Sequence, residues 1–180
     1  MGKVSNDLEK NMPEGKTVEN LIGNITKRGR SLLVVDLFAG QGGLIAGFNR
    51  VEEWQHFLAV EIAEKHCNVL REVFPNLPIL QQDVALVDWT KVFGNAEIDC
   101  VIGGPPCQPF SQGSNHRNGW DDPRNGIPSF VNAVKSINPK TFLLDVVPRV
   151  WAGDQKRHGE EAMKDLEDFG FTYTDAAIID

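Results

Sequence analysis

Cysteine is scarce in this sequence, and its spacing suits neither a disulfide framework nor a structural metal. Three cysteines occur among 180 residues, namely Cys67, Cys100 and Cys107, and no two of them form a C-x-x-C pair. Disulfide-stabilised domains and structural zinc sites rely on paired, closely spaced cysteines. The odd count argues against both classes, so no metal site is predicted. Cys67 and Cys100 are expected to be buried packing residues.

Long apolar runs are also missing. No uninterrupted apolar segment approaches the roughly 20 residues that a helix needs to cross a bilayer, and the polar N-terminus lacks the apolar core of a signal peptide. We therefore predict a cytoplasmic protein without a membrane partner. With 41% hydrophobic and 24% charged residues, the chain can build one sizeable core. Residues 1–30 are polar and aperiodic and are interpreted as an extension of a single domain, 31–180.

Positive charge is limited, since 18 Lys and Arg face 25 Asp and Glu, a net charge of −7. Binding of nucleic acid depends largely on neutralising phosphates with Lys and Arg. Any such contact would have to come from local clusters, at 27–30, 116–117 and 156–158. Only the His116-Arg117 pair is taken as a candidate contact, because it lies beside an unusual cysteine loop.

What the sequence does contain is a regular alternation of strand-like and helical patterns. Strands are predicted at 32–37, 57–60, 79–80, 98–102 and 142–147, and helices at 43–51, 63–74, 125–137 and 160–169. Repeated β-α units build a parallel sheet with helices on both faces. The sequence therefore predicts an α/β fold with a doubly wound, mostly parallel sheet.

A glycine-rich turn follows the first predicted strand and suggests a nucleotide-type site. It reads Gly40-Gln41-Gly42-Gly43, and the missing side chains would let a ligand approach the backbone. Ile45 occupies the position of the third glycine in the G-x-G-x-x-G pattern, which disfavours a nicotinamide or flavin. Glu61 ends the next apolar run, at a distance that suits a carboxylate hydrogen-bonded to ribose hydroxyls.

The stretch Gly103-Gly104-Pro105-Pro106-Cys107-Gln108-Pro109-Phe110-Ser111 holds one cysteine in a stiff loop after a strand. A rigidly held cysteine with a lowered pKa is an effective nucleophile, whereas an ordinary turn with a buried cysteine is the simpler alternative. Their position favours a functional role, because Glu61, Asp83 and Cys107 follow predicted strands and Asp145 lies near the end of another. Ligands of open α/β sheets bind at the carboxyl ends of the strands.

Two motifs in this order resemble the cytosine-5 DNA methyltransferase family. They are Asp36-Leu37-Phe38-Ala39-Gly40-Gln41-Gly42-Gly43, with Gly47-Phe48 beyond it, and Pro105-Pro106-Cys107-Gln108. Weaker matches are Glu61, Asp83-Val84, Asp122-Pro123-Arg124 and Pro139. The resemblance covers roughly residues 32–150 and continues more loosely to the end. It implies a Rossmann-like fold that uses S-adenosylmethionine as cofactor.

The resemblance also implies roles for individual residues. Cys107 would add covalently to C6 of cytosine and Asp145 would be the acid that assists it, so that the methyl group is transferred to C5. The cofactor residues would be Phe38, Ala39, Gly40, Gly42, Gly43, Leu44, Glu61, Ile62, Asp83, Val84 and Pro105. The substrate contacts would be Gln108, Ser111, Arg117 and Arg124. The partner would be double-stranded DNA, with the target base flipped out of the duplex.

Two departures from the family pattern bear on activity. The family's Glu-Asn-Val appears here as Asp145-Val146-Val147, which shortens the acid by one methylene and removes the asparagine amide. The target-recognition region and the family's later motifs do not appear, so the domain is expected to be C-terminally incomplete. A second polypeptide carrying that region is a predicted partner.

Three functions remain open at this point. The first is DNA cytosine-5 methylation in a bacterial restriction-modification or phage-type system, acting at the nucleoid. The second is a catalytically impaired subunit or fragment that binds S-adenosylmethionine and needs a partner. The third is methylation of RNA cytosine, which uses the same loop chemistry on exposed bases.

Overall fold

Five parallel strands form the centre of the fold. The computed structural model describes residues 31–107, 125–152, 156–172 and 177, so the predicted extension 1–30 lies outside the described residues. The strands are β1 Leu32–Leu37, β2 Trp54–Glu61, β3 Ile79–Gln81, β4 Cys100–Gly103 and β5 Thr141–Leu144. They lie in the order β3-β2-β1-β4-β5, and every pairing is parallel. The predicted α/β fold with a parallel sheet is confirmed.

Helices cover both faces of this sheet. They are α1 Gly43–Phe48, α2 Glu64–Val73, α3 Trp89–Phe93, α4 Ile127–Ile137 and α5 Lys156–Phe169, with short 3-10 turns at Val84–Leu86 and Pro148–Trp151. The helices α1 and α2 pack on one face through Ile45 and Leu70, and α3, α4 and α5 pack on the other through side chains such as Phe130. The predicted doubly wound arrangement is confirmed.

Alternation along β1 explains how one strand serves two cores. Leu33, Val35 and Leu37 pack with α3, α4 and α5, whereas Val34 packs with Leu44 and Phe48 of α1. Successive side chains of a strand point to opposite faces, and a central parallel strand is therefore apolar on both. Asp36 is the exception to that rule, because it is a carboxylic acid on the α1 face with no exposed surface.

The predicted packing roles of two cysteines are confirmed. Cys67 and Cys100 are both buried, in the clusters that support α2 and α1. Burial raises the pKa of the Cys100 thiol to about 12, with a smaller contribution from Asp99. Neither thiol is therefore positioned as a reactive group.

A carboxylate links the amino ends of three strands, at the end of the sheet opposite the glycine turn. Asp99 Oδ2 accepts a hydrogen bond from the Leu33 backbone N–H at 2.9 Å, and Oδ1 accepts from Lys140 Nζ. Its backbone oxygen accepts from the Thr141 N–H at 3.0 Å. One buried residue thereby links the starts of β1, β4 and β5.

Several element boundaries differ from the prediction, and each difference has a local cause. The strand predicted over 142–147 ends at Leu144, because Val147 is the N-cap of the 3-10 turn that follows. The helix predicted from Asn125 begins at Ile127, because Asn125 pairs with Cys107 in an isolated antiparallel bridge.

Two short helical elements between β3 and β4 were not predicted. The helix α3 spans five residues, too few for a 3.6-residue period to show in the sequence. Side chains start both elements, because Asp83 accepts from the Ala85 N–H and Asp88 accepts from the Lys91 N–H. Within the described ranges, no helix combines the length and hydropathy that crossing a bilayer requires.

Candidate active site

The turn after β1 has an unusual backbone. Phe38, Gly40 and Gly42 have positive φ angles of 57°, 54° and 89°. A left-handed phenylalanine is strained by about 1–3 kcal/mol and persists only where its surroundings hold it, which is common at functional sites. The Ala39 N–H donates to the Val60 carbonyl at 3.1 Å, and the Gly42 N–H donates to the Ala39 carbonyl at 2.9 Å. The chain is thus folded tightly between the end of β1 and the start of α1.

The three glycines of this turn lie in two different kinds of surroundings. A Cβ atom added to Gly40 or Gly43 would meet nothing within 4 Å, so both face open space. A Cβ atom on Gly42 would lie 2.5 Å from Cε2 of Phe74 and 3.0 Å from Cδ2 of Leu70. The expectation that Gly42 leaves room for a ligand is therefore wrong, because protein side chains fill that space. Gly40 and Gly43 are the positions that leave a cradle open.

Glu61 connects this turn to the end of β2. Its Oε2 accepts from the Gly40 N–H at 2.8 Å and its Oε1 accepts from the Ala63 N–H at 2.7 Å. His66 Nδ1 lies 3.7 Å from Oε1. The side chain is only 9% exposed, and its oxygens retain further lone pairs for a ligand. Ile62, the next residue, is 62% exposed beside it.

Asp36 lies in the same region and was not singled out as a functional residue from the sequence. Its carboxyl group is fully buried, and both oxygens lack a hydrogen-bond partner within the described part of the chain. Burial, together with the nearby Glu61 carboxylate, raises the pKa of Asp36 to about 8. Its place in an otherwise apolar strand was the available signal.

Two of the three predicted adenine-side residues, Asp83 and Val84, lie after β3, and Ile62 lies after β2. Asp83 Oδ1 accepts from the Ala85 N–H at 3.0 Å and caps the following turn. The Val84 side chain is buried in the main core and lines no surface. The Gln82 N–H donates to the Glu61 carbonyl at 3.1 Å, which holds the end of β3 beside Glu61.

The cysteine loop is held by a turn that precedes α4. The Gly126 N–H donates to the Pro106 carbonyl at 2.8 Å, and Asn125 pairs with Cys107. A Cβ atom on Gly126 would lie 2.5 Å from Pro106 Cδ and 2.9 Å from Pro105 Cβ. From the sequence, Asn125 and Gly126 were not predicted to support the loop, although an Asn-Gly pair is a recognised turn signal.

Cys107 is half-buried, and its thiol donates to the Pro105 carbonyl at 3.2 Å. Burial raises the pKa of this thiol, a backbone hydrogen bond from Val147 lowers it, and the Asp145 carboxylate raises it. The net direction is upward. The expected lowered pKa is therefore wrong for this state of the protein.

Asp145 is placed next to that loop by the pairing of β4 with β5. Its N–H donates to the Gly103 carbonyl at 2.9 Å, and its Oδ2 lies 3.7 Å from the position that a Gly104 Cβ would take. The carboxylate is exposed, whereas Val146 packs against the main core. The position of the family's asparagine thus serves packing here.

One cavity joins several of the predicted residues. Its lining includes Leu44 at the start of α1, Pro105 and Cys107 of the loop, and Asp145 with Val147 after β5. Gly40 and Gly43 of the glycine turn and Glu61 lie at the carboxyl ends of the neighbouring strands β1 and β2. The predicted contacts Gln108, Ser111, Arg117 and Arg124 lie outside the described residues.

Comparison with known proteins agrees with this arrangement. A model of the C-5 cytosine-specific DNA methylase family matches residues 32–179. The Type II methyltransferase M1.HphI of Haemophilus parahaemolyticus is 36% identical over 146 residues, which are 78% of this chain and 39% of the relative. M.PspPI of Psychrobacter sp. is also 36% identical, over 79% of this chain and 33% of its own length.

Solved structures give the same result. A DNA modification methyltransferase encoded within an E. coli prophage superposes with a TM-score of 0.64 at 32% identity, over 77% of this chain and 38% of that chain. DNMT2 of Spodoptera frugiperda, at 19% identity over 75% of this chain and 41% of that chain, has a TM-score of 0.58 and shares the fold. The chain spans about two fifths or less of the length of the curated relatives described above. Because the family model covers most of its residues, this chain belongs to the C-5 cytosine-specific DNA methylase family.

Proposed function

We propose that this chain is the cofactor-binding and nucleophile-bearing part of a DNA cytosine-5 methyltransferase of restriction-modification or prophage type. The observation that carries the proposal is the shared cavity. Its lining includes Cys107, Asp145 and the first turn of α1, so a base and a cofactor could meet there. The Type II methyltransferases among the relatives support the reaction class.

The residues present fit S-adenosylmethionine, which supplies an electrophilic methyl group when bound. Gly40 and Gly43 leave an open cradle, Glu61 keeps lone pairs free, and Asp36 is a buried acid with no partner in the described part of the chain. The methionine part of the cofactor would be held by Phe38, Ala39, Gly40, Gly42, Gly43 and Leu44. Glu61 would bind the ribose, and Pro105 would lie at the methyl end. The adenine would be surrounded by Ile62, Asp83 and Val84. For Gly42 and Val84, the backbone would make that contact, because the surrounding core occupies their side-chain space.

Cys107 would carry out the covalent step. Its sulfur forms a bond to C6 of cytosine, and the π electrons of the C5–C6 bond then make C5 nucleophilic. The thiol proton has to leave first. A protonated Asp145 that donates to N3 of the base would no longer repel a thiolate, so base binding and thiol ionisation would favour each other. After methyl transfer, loss of the C5 proton expels Cys107.

The target base would have to leave the duplex to reach the cavity, at a cost of a few kcal/mol. Gln108, Ser111, Arg117 and Arg124 are proposed as contacts to the DNA near the loop. A polypeptide segment outside this chain would supply the reading of the target sequence, because base-edge contacts determine specificity.

One observation favours a second candidate, a cofactor-binding subunit with impaired catalysis. Asp145 is a methylene shorter than the family's glutamate, and Val146 is packed into the core. A misplacement of about 1 Å can reduce a rate about a hundredfold. Such a protein would bind S-adenosylmethionine but would transfer methyl groups poorly.

The first experiment is calorimetric titration of the purified chain with S-adenosylmethionine. Binding is expected for both candidates, and its absence would contradict both. The second experiment incubates the chain, the cofactor and duplex DNA containing 5-fluorocytosine, with and without the C-terminal remainder of M1.HphI, and searches for a covalent adduct by mass spectrometry. A single-stranded RNA carrying the same analogue tests the RNA alternative.

Two variants make the adduct experiment specific. Cys107→Ser should form no adduct while it still binds the cofactor, and Cys100→Ala should retain the adduct. Cofactor binding without any adduct in either reaction would favour the impaired subunit. An adduct at a cysteine other than Cys107 would refute the assignment of the nucleophile.

A further inference from the structure

Asp36 lies near the carboxyl end of β1, the central strand of the sheet. It pairs with Ala59 of β2 and Ile102 of β4, so protein strands flank it on both sides. Val34, two residues earlier, points to the α1 face, and side chains two apart along a strand share a face. The Asp36 carboxyl group is therefore directed into the layer between the sheet and α1, four residues before Gly40.

Burial of a carboxyl group without hydrogen bonds is costly, and a structure rarely retains one without a reason. Glu61 accepts backbone N–H groups from both Gly40 and Ala63, which stabilise its ionised form. Asp36 has no such donor within the described residues. Two neighbouring carboxyl groups in one buried cluster cannot both ionise cheaply. Burial and the neighbouring Glu61 carboxylate thus raise the pKa of Asp36, which favours its protonated form.

We propose that Asp36 is a proton-linked positioning residue for the cofactor, which holds its proton in the free protein and releases it when a cationic ligand occupies the cradle. This inference rests on the proposed binding of S-adenosylmethionine. The cofactor carries a sulfonium, an ammonium and a carboxylate, and so has one net positive charge. A positive charge above Asp36 and Glu61 favours ionisation of the second carboxyl group. The ionised pair would in turn hold the cation.

Other groups that titrate or carry charge lie on the elements packed around Asp36. The helix α1 contains none, and those whose side chains are not exposed are His56 and Glu61 of β2, His66, Cys67 and Arg71 of α2, and Cys100 of β4. Burial lowers the pKa of His56 to about 4 and raises the pKa of both thiols, so these three groups stay neutral near pH 7.5. His66, whose Nδ1 lies 3.7 Å from Glu61, has an imidazole that could also exchange a proton, and it needs a control.

S-adenosylhomocysteine is the matched ligand for the test, because it lacks only the methyl group and the sulfonium charge. The full chain is titrated with each ligand at pH 7.5 in phosphate, Hepes and Tris, whose ionisation enthalpies differ. The dependence of the observed heat on that enthalpy gives the number of protons released. We expect most of one proton with S-adenosylmethionine and a clearly smaller fraction with S-adenosylhomocysteine.

Variants identify the group that loses the proton. Asp36→Asn should abolish the release and reduce the preference for S-adenosylmethionine over S-adenosylhomocysteine about three- to tenfold. His66→Gln should leave the release unchanged. A wild-type chain that binds the cofactor without proton release, or an Asp36→Asn chain that still releases a proton, would overturn the inference.

A measurement on the wild-type chain covers the case in which Asp36→Asn does not fold. The affinity for S-adenosylmethionine should rise about three- to tenfold between pH 6.5 and 8.5, and the affinity for S-adenosylhomocysteine should rise less. Equal pH dependence for the two ligands would contradict the role of Asp36. If neither ligand binds, the proposed function fails, and this inference fails with it.

Discussion

Cys107 and Asn125 face each other in an antiparallel bridge, which joins the loop after β4 to the residue pair that precedes α4. Asn125 is buried, and its Oδ1 accepts from the Ile127 N–H at 3.1 Å. The candidate nucleophile is therefore positioned by a helix start as well as by prolines. Contacts made far along the chain determine where the sulfur lies.

Gly126→Ala tests this support of the loop. The added methyl group would overlap Pro106 and Pro105, and overpacking of this kind costs about 1–3 kcal/mol. We expect a lower free energy of unfolding in urea and reduced adduct formation at Cys107. Gly47→Ala is the matched control, because its Cβ would meet nothing within 4 Å. Equal stability of the two variants would show that the loop does not depend on the missing side chain at Gly126.

Asp145→Asn should make Cys107 more reactive towards a small alkylating reagent. The Asp145 carboxylate raises the pKa of the Cys107 thiol, and the neutral amide removes that contribution. The midpoint of the pH–rate profile is expected to move to lower pH, with a rate at pH 7.5 that is roughly severalfold higher. Cys67 and Cys100 are buried and should react slowly in both proteins. An unchanged midpoint would mean that the carboxylate and the sulfur do not interact.

Gly42→Ala and Gly43→Ala should fail in different ways. At Gly42 the left-handed backbone and the Phe74 ring both oppose a side chain, so a loss of about 1–3 kcal/mol in unfolding free energy is expected. At Gly43 the space is open, so stability should persist while affinity for S-adenosylmethionine falls. Chemical denaturation and calorimetry separate the two effects. A Gly43→Ala chain with unchanged affinity would remove Gly43 from the proposed cradle.

Asp36→Asn should raise stability more at pH 7.5 than at pH 5. The pKa of Asp36 is raised from 3.8 to about 8, so the folded state binds a proton that the unfolded state has released. Stability from this group is complete below about pH 4 and is lost as pH rises towards 8, by up to about 1.4 kcal/mol per pH unit. The difference between variant and wild type should therefore grow by a few kcal/mol across this window. A constant difference in urea unfolding would argue that Asp36 is already ionised.

The order of elements could be predicted from the sequence because it depends on local periodicity. The alternation of apolar strands with amphipathic helices predicted the parallel sheet, and residues at strand ends were predicted to meet at one edge. Short elements were harder to detect. The helix α3 begins after its cap Asp88, and β5 ends at Leu144. The pattern of apolar residues marks neither boundary clearly.

The roles of particular atoms could not be read in the same way. The space beside Gly42 looked available to a ligand, and only the fold shows that the Phe74 ring occupies it. Cys107 looked like a group with a lowered pKa, yet burial and Asp145 raise that pKa. Both outcomes depend on side chains that the fold brings close from distant parts of the chain.

The sequence alone determined which functional groups lie at the edge of the sheet, because residue identity is encoded position by position. These groups are a glycine turn, a cysteine next to prolines, and carboxylates at the ends of strands. Tertiary structure decided their protonation and their partners. Desolvation and the nearby Glu61 raise the pKa of Asp36, and β4–β5 pairing brings Asp145 to the loop that holds Cys107. Electrostatic energies depend on distance and burial, and neither exists until the chain has folded.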